Sequence, residues 1–333
     1  MYEQISEVSL KSGEEVELGV VVGPDPDWVD RIAMELLGHK GEPWQWGNRK
    51  VLLELLEMEA YFYILHRNGI PFANVMTIEF EGKGILGHVF TKPEDRRQGA
   101  ASRIFEGLMD HFTDRGGKAL VLGTGFDSPP YHIYRSFGFA GIEDKNGVME
   151  YYSDSKMAFD STHFASGPTE VHRLTPSHYP VAPFLFTGDY PGVVRSVPMG
   201  IIGRGSSEGS LLPLLKKELD RSQENREPKT SVLLQTSSKA VVGLATWEWD
   251  PIWPHTCVVD VFCHPEFWSY GTETLGHLGL PDADRYVTYC DVGFEPKESC
   301  LDRSGFLRRG VYKQRIRNRI NGNLEDVGIW EKA

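Results

Sequence analysis

The stretch Val89-Phe90-Thr91-Lys92-Pro93-Glu94-Asp95-Arg96-Arg97-Gln98-Gly99-Ala100-Ala101-Ser102 holds residue types whose order could do chemistry. An apolar strand ends, the chain turns, and a helix begins on a run of small side chains. The first turn of a helix carries N–H groups without intrahelical partners, and the helix dipole adds partial positive charge there. Small residues let an anion approach those groups closely, and Arg96 and Arg97 add guanidinium groups for phosphate oxygens. The pattern predicts a pyrophosphate site at a helix N-terminus.

Arg96-x-x-Gly99-x-Ala101 resembles the Arg/Gln-x-x-Gly-x-Gly/Ala signature of the GNAT superfamily of acyl-CoA-dependent acetyltransferases, and Pro93-Glu94 upstream is also similar. Tyr131-His132-Ile133-Tyr134-Arg135-Ser136-Phe137-Gly138-Phe139 resembles that family's second motif, a tyrosine-bearing helix ending in Gly-Phe. With the order of elements below, the resemblance runs from residue 1 to about residue 155. It implies acetyl-CoA as acyl donor and an N-acetyltransferase activity. Backbone groups of Val89 and Thr91 would pair with the pantetheine arm. The N–H groups of Arg97, Gln98, Gly99, Ala100, Ala101 and Ser102 would cradle the pyrophosphate beside Arg96. Tyr134 would protonate the departing thiolate, which eases its expulsion.

The chain departs from the family pattern in places. Asp127 stands where many members have Asn, among the pantetheine contacts, and Pro130 where they often have Ala. In the histone-type branch a glutamate on the strand serves as base, and Ile85 occupies that place here. His88 is the titratable residue on the strand, and its ordinary pKa of about 6.5 suits proton transfer. Glu79 and Glu81 on the preceding strand are its rivals. Positioning amine and thioester together can also suffice, with water carrying the proton.

These groups must be held by the elements around them. Val16–Val22 reads as a strand, 26–39 and 49–59 as helices, and Tyr61–His66 and Ala73–Phe80 as strands joined by an Asn68-Gly69 turn. Ile85–Thr91 is a strand, a helix follows to about Thr113, Ala119–Leu122 is a strand, Pro129–Phe137 a short helix and Gly147–Tyr152 a strand. Trp44-Gln45-Trp46 falls between the first two helices, in the connection expected to border the acceptor. Asp160–Pro168 is polar and rich in small residues, so 161–167 is the expected linker between a domain over 1–160 and another over 168–333.

The second half repeats the first. Val261 to Glu273 aligns with Val89 to Ala101, and Ser304-Gly305-Phe306 answers Phe137-Gly138-Phe139. The site residues are replaced: Trp268 for Arg96, Glu273 for Ala101, Leu301 for Tyr134. The expected fold class is therefore α/β (α+β), two tandem GNAT-like domains. Each would have a mixed, mostly antiparallel sheet flanked by helices. The second is degenerate, expected to border the acceptor or to mediate a homodimer.

Composition sets further bounds. The 333 residues are 40% hydrophobic and 25% charged, and no apolar run reaches the roughly 18–20 residues of a membrane helix. The net charge of −12 is uneven, −10 over residues 1–160 and −2 over the rest. That argues against a nucleic-acid groove and is compatible with a cationic amine. Arg308, Arg309, Lys313, Arg315, Arg317 and Arg319 read as a solvated face. Cys257, Cys263, Cys290 and Cys300 lack CxxC spacing and, with His264 and His277, match no closed zinc site. No metal is expected, and the compartment is expected to be the cytoplasm. The acceptor is expected to be a small-molecule or peptide amine that the sequence does not identify. The alternatives are a non-catalytic CoA-binding sensor and a transferase of a larger acyl or aminoacyl group.

Overall fold

The computed structural model describes residues 1–318 and 322–333; Arg319 lies outside the described residues. The chain separates into two compact units, Met1–Phe159 and Asp160–Ala333. Among the described residues no helix is long and apolar enough to cross a membrane.

The first unit holds eight strands: β1 (Tyr2–Ser9), β2 (Glu15–Val22), β3 (Glu59–Arg67), β4 (Ile70–Phe80), β5 (Lys83–Thr91), β6 (Ala119–Gly123), β7 (Ala140–Gly141) and β8 (Val148–Tyr152). They form one sheet in the order β1-β2-β3-β4-β5-β6-β8-β7, antiparallel throughout except for the parallel pair β5–β6. Asn68 and Gly69 both take positive φ, 49° and 78°, and close the β3–β4 hairpin with the primed turn that strand twist favours. On one face lies α2 (Ala100–Asp114). It buries Ala100, Ile104, Phe105, Leu108 and Phe112, a stripe at helical spacing, against Leu18, Tyr63, Val75, Leu86 and Leu120. Tyr134 on α3 (Pro129–Ser136) joins the same cluster.

The other helical segments differ from the expected ones. The segment expected as one helix over 26–39 is a 3-10 turn, Pro26–Trp28, followed by a π-helix, Val29–Leu36. The next helix, α1, spans Glu42–Leu53 rather than 49–59, so Trp44 and Trp46 lie on a helix and not in a loop. Pro43 sits in its first turn, where a missing N–H costs nothing. The strand β1 and the helix α4 (Lys156–His163) were not expected. Residues 161–163 of the expected linker form the last turn of α4.

The second unit contains β9 (Thr169–Arg173), α5 (Pro183–Thr187), β10 (Val194–Ser196), β11 (Ile201–Ile202), α6 (Glu208–Gln223), β12 (Thr230–Gln235), β13 (Ala240–Trp249) and β14 (Thr256–Cys263). There follow α7 (Gly271–Gly276), β15 (Arg285–Asp291), α8 (Glu295–Arg303), β16 (Leu307–Arg317) and β17 (Leu324–Lys332). Its main sheet runs β9-β12-β13-β14-β15-β17-β16. Strand for strand this is the order β2-β3-β4-β5-β6-β8-β7 of the first unit, and β14–β15 is again the one parallel pair. The expected fold, two mixed and mostly antiparallel sheets flanked by helices, is the one observed. The basic C-terminal segment expected as a solvated face is the edge strand β16, exposed along most of its length.

The repeated parallel pair is short in both units. Pairing of β14 with β15 ends after three residues, Thr256–Val258 against Arg285–Val287. Beyond that point β10 is stitched to both strands. Asp291 accepts from the N–H groups of Val193 (2.6 Å) and Val194 (3.2 Å), and Asp260 accepts from Val197 N–H (2.9 Å). Lys297 on α8 donates to the Val194 carbonyl (3.0 Å) and pairs with Asp260 at 2.6 Å, both side chains fully buried. Burial pushes the Asp260 carboxyl up, against the pull of Lys297. Replacing one member of such a pair strands the other in a medium of low polarity. We therefore expect Lys297→Met to cost about 3–5 kcal/mol in urea unfolding. The double variant Asp260→Asn, Lys297→Met should recover a large part of that loss.

Candidate functional site

The first unit has the same short parallel pair and treats it differently. β5 meets β6 at Lys83–Ala119, Gly84–Leu120 and Ile85–Val121, and then the strands part. Among the described residues no third segment bridges them beyond Val121. The far half of β5, with Val89 and Thr91, is therefore a strand edge facing a gap. Its ladder with β4 is interrupted as well. Asn74 pairs with Phe90 but Met76 with Gly87, so β5 carries one extra residue at His88-Val89, a β-bulge. His88 has φ 54°, a left-handed backbone uncommon outside glycine, and its carbonyl accepts from Asn74 Nδ2 at 2.9 Å.

After β5 comes a 3-10 turn, Pro93–Asp95, and then two left-handed residues around Gln98, Arg97 (φ 66°) and Gly99 (φ 84°). Alternating handedness of this kind turns successive N–H groups toward one point, an anion-binding concavity. The helix's own bonding starts with Arg103 N–H to the Gly99 carbonyl, 3.1 Å. Among the described residues none accepts from the N–H groups of Arg97, Gln98, Gly99, Ala100, Ala101 or Ser102. The α2 first turn also carries no acidic side chain. Arg96 folds back, its Nε donating to the Thr91 carbonyl at 3.1 Å, and Arg97 is exposed. The loop is tied down from outside by Arg67, whose guanidinium binds Asp95 (2.8 Å) and Glu14 (2.6 Å).

Tyr134 lies buried on α3, its ring 5.4 Å from Phe105 of α2 and 6.2 Å from Phe139. The helix that follows the first motif thus meets the second motif through this contact. Asp127 does not point inward. It is exposed, with φ 56°, and pairs with His132 at 3.0 Å, while the neighbouring Ser128 caps α3.

The two candidate bases lie on opposite faces of the sheet. His88 is on the α1 face, its ring 5.2 Å from Trp44. Burial, with a smaller contribution from nearby Lys40 and His39, pushes its pKa down to about 3. The imidazole is therefore neutral at pH 7 and too weak a base to take a proton from an ammonium group. Its Nδ1, like Asn74 Oδ1, is buried with no hydrogen-bond partner among the described residues. Glu79 faces α2 and is fully buried. Both its oxygens accept from Arg115, each at 3.0 Å, and Thr77 Oγ1 donates to it at 2.5 Å. Arg115 follows α2, lies 3.7 Å from the Tyr61 ring, and donates to Tyr63 Oη at 3.2 Å. Glu79 is thus an anchor for the end of α2. As placed, His88 is buried and Glu79 is paired with Arg115, so neither stands free to take a proton.

Sequence reasoning missed Arg67, Asn74 and Arg115. Only Asn74, a polar residue inside an apolar strand, carried a visible signal. The carboxylates behind the negative charge of this unit gather partly in a groove of about 330 Å³ lined by Glu7, Glu14, Glu15, Glu17, His66, Arg67 and Asn68. None of these lies on β5 or α2.

No family model matches the chain, and no curated protein matches it. Among solved structures it is similar to the ribosomal-protein-S5-alanine acetyltransferase of Vibrio fischeri, at 15% identity over 49% of this chain and 92% of that one, with a TM-score of 0.33. It is also similar to a GNAT-family acetyltransferase of Bacillus anthracis (13% identity, 49% and 93% coverage, TM-score 0.34). A third is RimL, a ribosomal L7/L12 α-N-protein acetyltransferase in complex with coenzyme A (17% identity, 50% and 94% coverage, TM-score 0.33). At such identities and TM-scores the functional reading rests on the geometry above.

If Glu79 is an anchor, Glu79→Gln leaves Arg115 half-buried without its counter-charge. The urea midpoint should fall by the equivalent of about 3 kcal/mol. Turnover per folded molecule should change much less, which a catalytic base would not allow.

Proposed function

We propose that the first unit is an acyl-CoA-dependent N-acyltransferase of the GNAT type. Acetyl-CoA would be the donor, and a primary amine of a small molecule or peptide the acceptor. The observation that carries this reading is the parting of β5 from β6 beside a bulge, one turn of chain before a cluster of unpartnered N–H groups. A strand edge suits an extended amide-bearing arm, and the N–H cluster suits a pyrophosphate. The residues fit such a donor: small side chains at Gly99, Ala100 and Ala101, no acid in the helix's first turn, and exposed Arg97 nearby.

The chemistry needed is modest. N–H groups of β5 near the bulge would hydrogen-bond the thioester oxygen, stabilising charge that develops there. The acceptor amine attacks in its neutral form. As the N–C bond forms and the C–S bond breaks, the Tyr134 O–H passes its proton to the departing sulfur. The surplus proton on nitrogen leaves through water and restores Tyr134. Neutral His88 would take part only as a hydrogen-bonding group. Four free and buried cysteines suit a reducing compartment.

The second unit would not bind the donor. Its β10 fills the place between β14 and β15 that the first unit leaves to a ligand. The segment before α7 is a continuous 3-10 helix, Pro265–Tyr270, leading to Gly271 at φ −59° rather than to a left-handed turn. A second reading, a CoA-binding sensor without turnover, is favoured by one observation: His88 is buried and Glu79 is held by Arg115, so neither stands free beside β5. Bound CoA with no thiol release across a broad amine panel would decide for it.

Calorimetry should therefore find one CoA per chain, and a stoichiometry of two would contradict the reading of the second unit. Tyr134→Phe should lower kcat about 100-fold with little change in KM for acetyl-CoA. The rate should rise with pH as the acceptor amine loses its proton. His88, protonated only near pH 3, should add no limb between pH 5 and 8. A limb near pH 6.5 that disappears in His88→Gln would restore it as a base.

A further inference from the structure

The β1–β2 turn packs on the phosphate-binding loop. Lys11 N–H donates to the Gln98 carbonyl at 3.0 Å, in the middle of the cradle. Glu14 and Asp95 share Arg67, and Arg103 Nε donates to the Ser9 carbonyl at 3.2 Å. The turn is thus bonded to the loop before it, to the cradle itself and to the helix after it. Within this clamp the stem of Lys11 runs over Gly99. Its Cγ and Cε each lie 3.7 Å from where a Cβ on Gly99 would stand. A side chain rooted on Gln98 and laid across Gly99 brings its ammonium to the rim of the cradle.

Arg97 is exposed in the loop itself, and the other arginines around the cradle are engaged elsewhere. Arg96 is bonded to Thr91, and Arg103 to Glu106 at 2.8 Å. Arg67 is held between two carboxylates. The Lys11 ammonium has no hydrogen-bond or ion-pair partner among the described residues. The exposed Lys11 side chain thus lies beside six N–H groups without acceptors, an arrangement that an anion would complete.

We propose that Lys11 is a phosphate ligand of the bound acyl-CoA, supplied by the N-terminal hairpin. This assignment rests on the reading of the first unit as an acyl-CoA site. It gives the β1–β2 hairpin, which the sequence motifs do not include, a part in donor recognition. The compact ammonium on a flexible stem suits either the pyrophosphate or the 3′-phosphate.

The experiment is calorimetric titration of the full chain with CoA, 3′-dephospho-CoA and pantetheine, for the natural sequence, Lys11→Met and Lys11→Arg. Methionine keeps an unbranched stem and removes the charge, and circular dichroism checks that the fold is kept. The expected result is a CoA Kd raised about tenfold in Lys11→Met, largely restored in Lys11→Arg, and unchanged pantetheine binding. The difference should shrink at high salt. If dephospho-CoA shows the same loss, the partner is the pyrophosphate; if it shows none, the partner is the 3′-phosphate. Equal CoA affinity in the natural chain and Lys11→Met overturns the assignment while leaving the donor site standing. A natural chain that binds no CoA removes the site and the assignment together.

Discussion

A parallel strand pair that holds for three residues and then divides is the constraint on which both units are built. Every backbone N–H and C=O removed from a ladder must find another partner or face water. Where β14 leaves β15, the chain supplies the partner itself. β10 enters, Asp260 and Asp291 accept its N–H groups, and Lys297 takes its carbonyl. Where β5 leaves β6, no such segment enters, and the bulge at His88 turns the edge outward. One topology thus gives a closed unit and an open one. The difference at this point lies in a short hairpin and a few charged side chains, and the order of the seven strands common to both units is unchanged.

The buried charges follow the same division. Glu79 is matched by Arg115, Asp260 by Lys297, and the Arg195 guanidinium by the carbonyls of Phe186, Gly188 and Tyr190. Glu218 accepts from the N–H groups of Lys229 and Thr230. These groups fix helix ends and loops to the sheets, and their desolvation is offset by close partners. At the bulge the pattern reverses. His88 Nδ1 and Asn74 Oδ1 are buried without partners, and His88 has a left-handed backbone. Strain and unmet hydrogen bonds coincide there, as at sites kept ready for a ligand.

Much of this was legible in the residues. Strands β3 to β5 and β12 to β15 declare themselves because β-branched and aromatic residues alternate or run together between turn signals. The α2 start is visible because a run of small residues follows a strand end. The internal repeat survives because strand order depends on apolar patterning, which tolerates the loss of site residues. Other features were hidden by ambiguity at short range. The polar alternation of β1 looks like a tail until β2 is beside it. Glu42-Pro43-Trp44 reads as a loop until Gly41 is seen to be extended and Pro43 to occupy a first helical turn.

The sequence by itself determined the repeated order of elements, the strand–turn–helix around Gly99 and the tyrosine helix, because each is encoded by neighbouring residues. Which groups face one another was decided only in three dimensions. Glu79 and His88 look interchangeable as bases on paper. One lies on the α2 face, locked by a guanidinium some thirty-six positions away, and the other on the α1 face, made neutral by burial. Lys11 meets Gly99, and β10 meets Asp260, across long stretches of chain. Register, burial and charge pairing are properties of the packed sheet, and no local pattern of residue types records them.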